Sequence, residues 1–251
     1  MTVIDSVQKM QQISAGWSQH KVGFVPTMGA LHQGHRALLD RARSENEIVV
    51  LSIFVNPTQF NDTKDFEKYP KTLTADLEIA AASKIDLVFL PNSIQMYPDQ
   101  YQYKVLENNL SQKFCGAFRP GHFEGMLTVV MKLFNIVRPT SAYFGEKDFQ
   151  QLLLVKKMTE AFFMPINIIP VKTVRAENGL ALSSRNSRLT DEGLIRAGQL
   201  NLILRSENDL RKIKYHLAKL GFEVEYVQDL ENRRLAAVWI DGVRLIDNVE
   251  I

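Results

Sequence analysis

Through its first two thirds the chain alternates short, near-continuous apolar runs with segments of helical periodicity. The apolar runs cover residues 22–25, 48–55, 85–90, 142–144 and 166–171, and the helix-like stretches lie at 34–45, 74–83, 127–137 and 149–163. A strand with one wet face alternates polar and apolar residues, whereas a strand covered on both faces reads as unbroken Val, Ile and Leu. Such strands separated by helices predict an α/β fold, a Rossmann-like doubly wound parallel sheet with its ligand beyond the carboxyl ends of the strands. After residue 174 the texture changes. Asn178-Gly179 signals a turn, a helical region runs from about Thr190 to Leu220 with a break near Ser206-Glu207-Asn208, and runs at 224–227, 236–240 and 244–246 suggest a small sheet. Two domains are expected: residues 1–173, and a smaller C-terminal α+β domain of residues 174–251.

Composition removes several function classes. With 30 basic and 28 acidic residues the net charge is +2, too balanced for a nucleic-acid coat or a polybasic membrane anchor. A single cysteine, Cys115, rules out an intramolecular disulfide and a cysteine-cluster metal site, and reads as a packing residue. No run approaches the ~20 apolar residues of a membrane span, and residues 1–12 lack the apolar stretch of a signal peptide. A cytoplasmic protein is expected, without nucleic-acid or membrane partners. Neither GxGxxG nor GxxxxGK[ST] follows a strand, which weighs against a dinucleotide-binding dehydrogenase and a Walker-type phosphate loop.

Chemistry concentrates where apolar runs end. The first run leads into Pro26-Thr27-Met28-Gly29-Ala30-Leu31-His32-Gln33-Gly34-His35 and then a helix. Backbone N–H groups of such a turn and the positive end of the helix dipole favour anions, and Gly29 and Gly34 permit close backbone approach. His32 and His35 can donate to phosphate oxygens from two sides, although a lone histidine at a helix start is more often a cap or a surface residue. The second run ends in Phe54-Val55-Asn56-Pro57-Thr58-Gln59-Phe60. There the Gln59 amide, donor and acceptor at once, suits a substrate bearing hydroxyl and carboxylate, while Asn-Pro alone makes a strand-end turn. Phe144-Gly145-Glu146-Lys147-Asp148-Phe149-Gln150-Gln151 is a second strand-to-helix turn. Gly145 opens the backbone, Lys147 supplies a compact cation, Asp148 caps the helix or binds ribose or Mg²⁺, and Gln151 is able to face the same crevice as Gln59. Leu182-Ser183-Ser184-Arg185-Asn186 offers two hydroxyls and a guanidinium, a phosphate clamp or a polar loop entering a helix.

Taken together, these segments resemble the pantothenate synthetase (pantoate–β-alanine ligase) family within the HIGH-type nucleotidyltransferases. PTMGALHQGH, FVNPTQF, FGEKDFQQ, LSSRN, the Arg119–Met126 stretch (family RPGHFxGV) and the terminal Arg244-Leu245-Ile246-Asp247-Asn248 all follow its order. The resemblance implies an ATP-dependent ligase that joins pantoate to β-alanine through pantoyl adenylate, releasing pyrophosphate and then AMP, with Mg²⁺ and as a homodimer. It assigns catalysis to His35, His32, Lys147 and Arg185. ATP would meet Met28, Gly29, Ala30, Leu31, His32, Gln33, Gly34, His35, Gly145, Glu146, Lys147 and Asp148, together with Val174, Leu182, Ser183, Ser184 and Arg185 from a C-terminal lid. Pantoate or β-alanine would meet Gln59, Gln151 and Asn56. Metal ligands are not identified; Arg119 and His122 rank as structural before catalytic, and Asp76 receives no chemistry. The C-terminal domain looks shorter than the usual family pattern. Two rivals are another HIGH-type nucleotidyltransferase, which leaves the nucleotide on its product, and a non-catalytic nucleotide sensor.

Overall fold

The computed structural model describes all 251 residues, which form two compact units. The first comprises Met1–Leu31, His35–Gly145 and Gln150–Val171. The second comprises Lys172–Ile251 with two short segments from the N-terminal part of the chain, His32–Gly34 and Glu146–Phe149.

In the first unit the order is β1 (Thr2–Ile4), α1 (Val7–Ala15), β2 (Val22–Thr27), α2 (Gln33–Glu45), β3 (Ile48–Ile53), α3 (Thr63–Glu67) and α4 (Leu73–Ala82). Then follow β4 (Leu87–Phe89), α5 (Ser93–Met96), α6 (Cys115–Phe118), α7 (His122–Val137), β5 (Ser141–Gly145), α8 (Phe149–Ala161) and β6 (Asn167–Val171). All six strands run parallel in the order β1-β4-β3-β2-β5-β6. The order reverses between β2 and β5, whose carboxyl ends are Thr27 and Gly145, so two of the three strand-end turns singled out above leave the topological switch point.

Both faces of the sheet are covered, as the unbroken apolar runs require. Val25, Val49, Leu51 and Val88 pack with Leu39 and Ala42 of α2 and Ala80 of α4. On the opposite side of β2, Phe24 meets Phe134 of α7 edge-on, and Phe134 meets Phe144 likewise. Five elements escape the sequence reading: β1, α1 and the short helices α3, α5 and α6. With three residues, of which only Ile4 is buried, β1 is too short to show a period. Another differs in length: α7 begins at His122 rather than near residue 127, because Gly121 enters left-handed at φ 80° and Gly125 lies inside the helix.

In the second unit Arg175 bridges Ala181 across a tight turn, with Gly179 at φ 89°. After it come α9 (Asp191–Ala197), α10 (Gln199–Ser206), α11 (Leu210–Lys219) and the antiparallel strands β7 (Glu223–Leu230), β8 (Arg233–Ile240) and β9 (Val243–Glu250) in the order β7-β8-β9. The expected break near residues 206–208 is there, and a second falls at Gly198. Leu200 and Leu204 of α10 and Ile213 and Leu217 of α11 pack with Val227, Ala236, Val238 and Leu245 of the sheet.

Candidate active site

Within the first unit, the turn after β2 is set by a carboxylate. Asp76, buried on α4, accepts from the backbone N–H of Ala30 at 3.0 Å and of Leu31 at 2.8 Å, and from the Thr72 hydroxyl at 3.1 Å. Gly29 stands at φ 78°, where a Cβ would lie 2.9 Å from Asp76 Oδ2, so only glycine fits. The Gly29 N–H donates to Thr27 Oγ1 at 3.2 Å. These bonds correct one expectation. The amides of Gly29, Ala30 and Leu31 are not held open for phosphate; they are bonded within the protein.

The turn after β3 is organised around Asn56. Burial pushes the Tyr97 hydroxyl up to about 12, so it stays protonated and donates to Asn56 Oδ1 at 2.6 Å. That fixes the amide orientation, and Asn56 Nδ2 then donates to Gln59 Oε1 at 3.0 Å and to the Gly125 carbonyl at 3.2 Å. Gln59 is thereby turned to present Nε2, whose partner is only the Met28 sulfur at 3.2 Å, a weak acceptor. Asn56 is 1 % exposed and has both amide hydrogens engaged, one of them on Gln59.

Two further residues act on the same turn. His122 Nδ1 donates to the Gln59 carbonyl at 2.8 Å, and its Nε2 accepts from Arg119 at 3.0 Å, since a guanidinium only donates. Of the Gln150-Gln151 pair, Gln150 is buried and ties Cys115, Leu110 and Lys113 together through their backbones. Gln151 is half-buried on the first turn of α8. His35 is half-buried on the first turn of α2, and Gly145 has open space where a side chain would stand.

Within the second unit, His32 Nδ1 accepts from the Gly34 N–H at 3.1 Å, which puts the proton of the neutral ring on Nε2. A Cβ on Gly34 would sit 2.8 Å from His32 Cε1, so that glycine makes room for the imidazole. Burial first, and the Lys147 ammonium second, bring the His32 pKa down to about 4, with Asp148 opposing them. His32 is therefore a neutral N–H donor at neutral pH, not a cation. Gln33 is exposed.

Glu146, Lys147 and Asp148 form one 3-10 turn after β5. The Glu146 carboxylate is bound by the buried Arg233 at 2.9 Å, which anchors the turn. Lys147 Nζ lies 3.9 Å from Asp148, which is about half exposed.

The Ser183–Arg185 segment is held from behind. Arg175 grips Asp247 with two nitrogens at 2.7 and 2.8 Å, and Leu182 bonds the Val174 carbonyl at 3.0 Å. Ser183 caps the short 3-10 helix Ser184–Arg188 by accepting from the Arg185 N–H at 3.3 Å. Ser184 and Arg185 are half-buried. The sequence reading missed the parts of Asp76, Tyr97 and Arg233; the visible signal for the last was an Arg-Arg pair opening an otherwise apolar strand.

A parallel sheet whose switch-point strands run into a His-x-Gly-His turn and a Gly-Glu-Lys-Asp turn defines a Rossmann-like α/β protein with polar turns at the ligand-binding ends of its strands. Comparison with known proteins narrows the class. The chain belongs to the pantoate–β-alanine ligase family, whose model matches residues 2–250. It is 56 % identical over 230 residues to pantothenate synthetase of Bdellovibrio bacteriovorus, covering 92 % of both chains. With the enzyme of Coxiella burnetii it shares 49 % over 247 residues, 98 % of this chain and 96 % of the relative. The crystal structure of pantoate–β-alanine ligase from Francisella tularensis, complexed with beta-gamma ATP and β-alanine, superposes with a TM-score of 0.95 at 41 % identity, covering 100 % of this chain and 97 % of that one. Pantothenate synthetase from Thermus thermophilus gives 0.91 at 39 %, covering 100 % and 99 %. These relatives are matched over nearly their whole length. No helix is long and apolar enough to cross a membrane.

Proposed function

We propose that this chain makes pantothenate from pantoate, β-alanine and ATP in two steps. A pantoate carboxylate oxygen attacks the α-phosphorus of ATP, the bond from that phosphorus to the bridging oxygen breaks, and pantoyl adenylate and pyrophosphate result. The β-alanine amine then attacks the adenylate carbonyl, loses a proton, and expels AMP. Bringing a carboxylate onto a phosphate opposes two anions, so the groups beside them must neutralise charge and fix geometry. Lys147 and Arg185 supply the cations, and His32 and His35 supply imidazole donors. Met28 to Gly34, Gly145, Asp148, Val174 and Leu182 to Ser184 complete the ATP contacts, while Gln59 and Gln151 hold pantoate. The observation that carries this reading is the Tyr97–Asn56–Gln59 relay, which turns an amide N–H₂ outward against nothing stronger than a thioether.

Mg²⁺ fits as an ion carried on the triphosphate, with Asp148 the exposed carboxylate of the turn, because no group of three or more His, Cys, Asp or Glu is arranged to hold a resident metal. There it would draw charge from the phosphate oxygens. The reading also includes a cytoplasmic homodimer, which light scattering tests.

The deciding assay measures AMP formation with pantoate, with and without β-alanine. Pantoate-dependent pyrophosphate release without β-alanine, and AMP release only with it, support the reading; a nucleotide retained on the product, or none consumed, overturns it. Replacing His35 with alanine should lower adenylate formation by orders of magnitude with the fold intact. Gln59→Ala and Gln151→Ala should raise the KM for pantoate far more than that for ATP, and an unchanged pantoate dependence at saturating ATP would retire both assignments.

A further inference from the structure

We infer that Asn248, locked by Arg233, is a positioning residue for Lys147; the inference rests on the reading above. Asn248 on β9 is 3 % exposed and Arg233 on β8 is 8 % exposed. The strands pair Arg233 with Glu250 and Leu235 with Asn248, so Arg233 and Asn248 are diagonal neighbours on one face of the sheet. Arg233 Nη1 donates to Asn248 Oδ1 at 2.7 Å, which settles the amide's orientation. Asn248 Nδ2 then donates to two successive carbonyls, Glu146 at 2.9 Å and Lys147 at 3.0 Å. Arg233 Nη2 bonds Glu146 Oε2 at 2.9 Å and Glu250 at 3.1 Å, and the guanidinium lies 4.9 Å from the Phe149 ring centroid.

The turn bearing Lys147 is thus held at a carboxylate, two carbonyls and a ring. Nothing in this network is needed to pair β8 with β9, whose backbone ladder runs unbroken from Arg233 to Ile240. A buried guanidinium and carboxamide are also a poor substitute for apolar residues as a source of stability. All of the amide's donors point at the turn. A lysine ammonium rides on a flexible four-carbon stem, so its reach is decided by where its backbone is fixed.

Asn248→Asp isolates this role, because its carboxylate still accepts from Arg233 but cannot donate to either carbonyl. Single-turnover formation of adenylate with pantoate should fall ~10–100-fold, the loss expected of an ångström-scale misplacement. The KM for pantoate should change by less than about twofold; the melting temperature should fall, because two carbonyls lose a buried donor, while the protein stays folded at the assay temperature. If Asn248 acts through Lys147, the same substitution in a Lys147→Ala background should bring no further loss. A wild-type rate in Asn248→Asp, or an undiminished loss in the Lys147→Ala background, overturns the inference. Should Asn248→Asp not fold, Asn248→Ser, which keeps one donor, is judged by the same cycle. Affinity for α,β-methylene-ATP, measured calorimetrically in the same four proteins, must show the same pattern. That arm holds even if the wild type forms no adenylate, a result that would sink the proposed function instead.

Discussion

A single side chain shows how burial chooses among chemical roles at this site. His32 carries a pKa lowered from 6.5 to about 4, by burial and then by the Lys147 charge. Between those values the unfolded chain binds the proton that the folded chain refuses, so stability rises with pH across that window. The contribution is complete above about 6.5 and is lost as the pH falls toward 4. Urea unfolding at about pH 4.5 and pH 7 should show this difference, and His32→Gln should reduce it; an unchanged difference would mean His32 is not its source. Asp76 is a second case. Its removal by alanine leaves the part-buried N–H groups of Ala30 and Leu31 without their acceptor, at up to ~1–3 kcal/mol each. Urea unfolding of Asp76→Ala should therefore show a loss of about 2–5 kcal/mol, with Asp76→Asn between it and the wild type.

Elements matter here through how closely they approach. Helix α7 runs beside the turn at residues 57–59, and a Cβ on Gly125 would stand 2.3 Å from the Thr58 carbonyl oxygen and 2.7 Å from the Gln59 nitrogen. Both are backbone atoms and cannot swing aside, so Gly125→Ala must push the Gln59 turn. The KM for pantoate should rise ~10-fold or more while ATP affinity stays close to wild type; kinetics with each substrate varied in turn would reveal it. The same helix marks where reading the sequence stops. Long apolar runs and strand-end turns were legible because burial on both faces writes itself into consecutive residues. The start of α7 was not, because Gly125 reads as a breaker unless its neighbour across space is known. The motif residues were legible as a set. Their supports were not, since Asp76, Tyr97 and Arg233 lie 45, 41 and 87 positions from the residues they bind.

At the scale of the whole molecule, the compact units do not follow the chain. His32–Gly34 and Glu146–Phe149 belong with Lys172–Ile251, although the chain on either side of each belongs to the other unit. Two apolar textures meeting near residue 174 gave no sign of that exchange, because it depends on contacts between segments far apart in sequence. A chain ending at Val171 therefore lacks the residues that hold Lys147, and calorimetry should find its affinity for an ATP analogue reduced at least ~10-fold. Full affinity in that fragment would show that the later strands contribute nothing to nucleotide binding. The turn after β2 carries a different consequence. Its amides at Gly29, Ala30, Leu31 and Gly34 are already bonded to Thr27, Asp76 and His32. A cradle of main-chain donors survives almost any change of codon; on the proposed function the grip falls instead to imidazole and ammonium groups, which can be weakened by one substitution at a time and retuned by a lineage just as gradually.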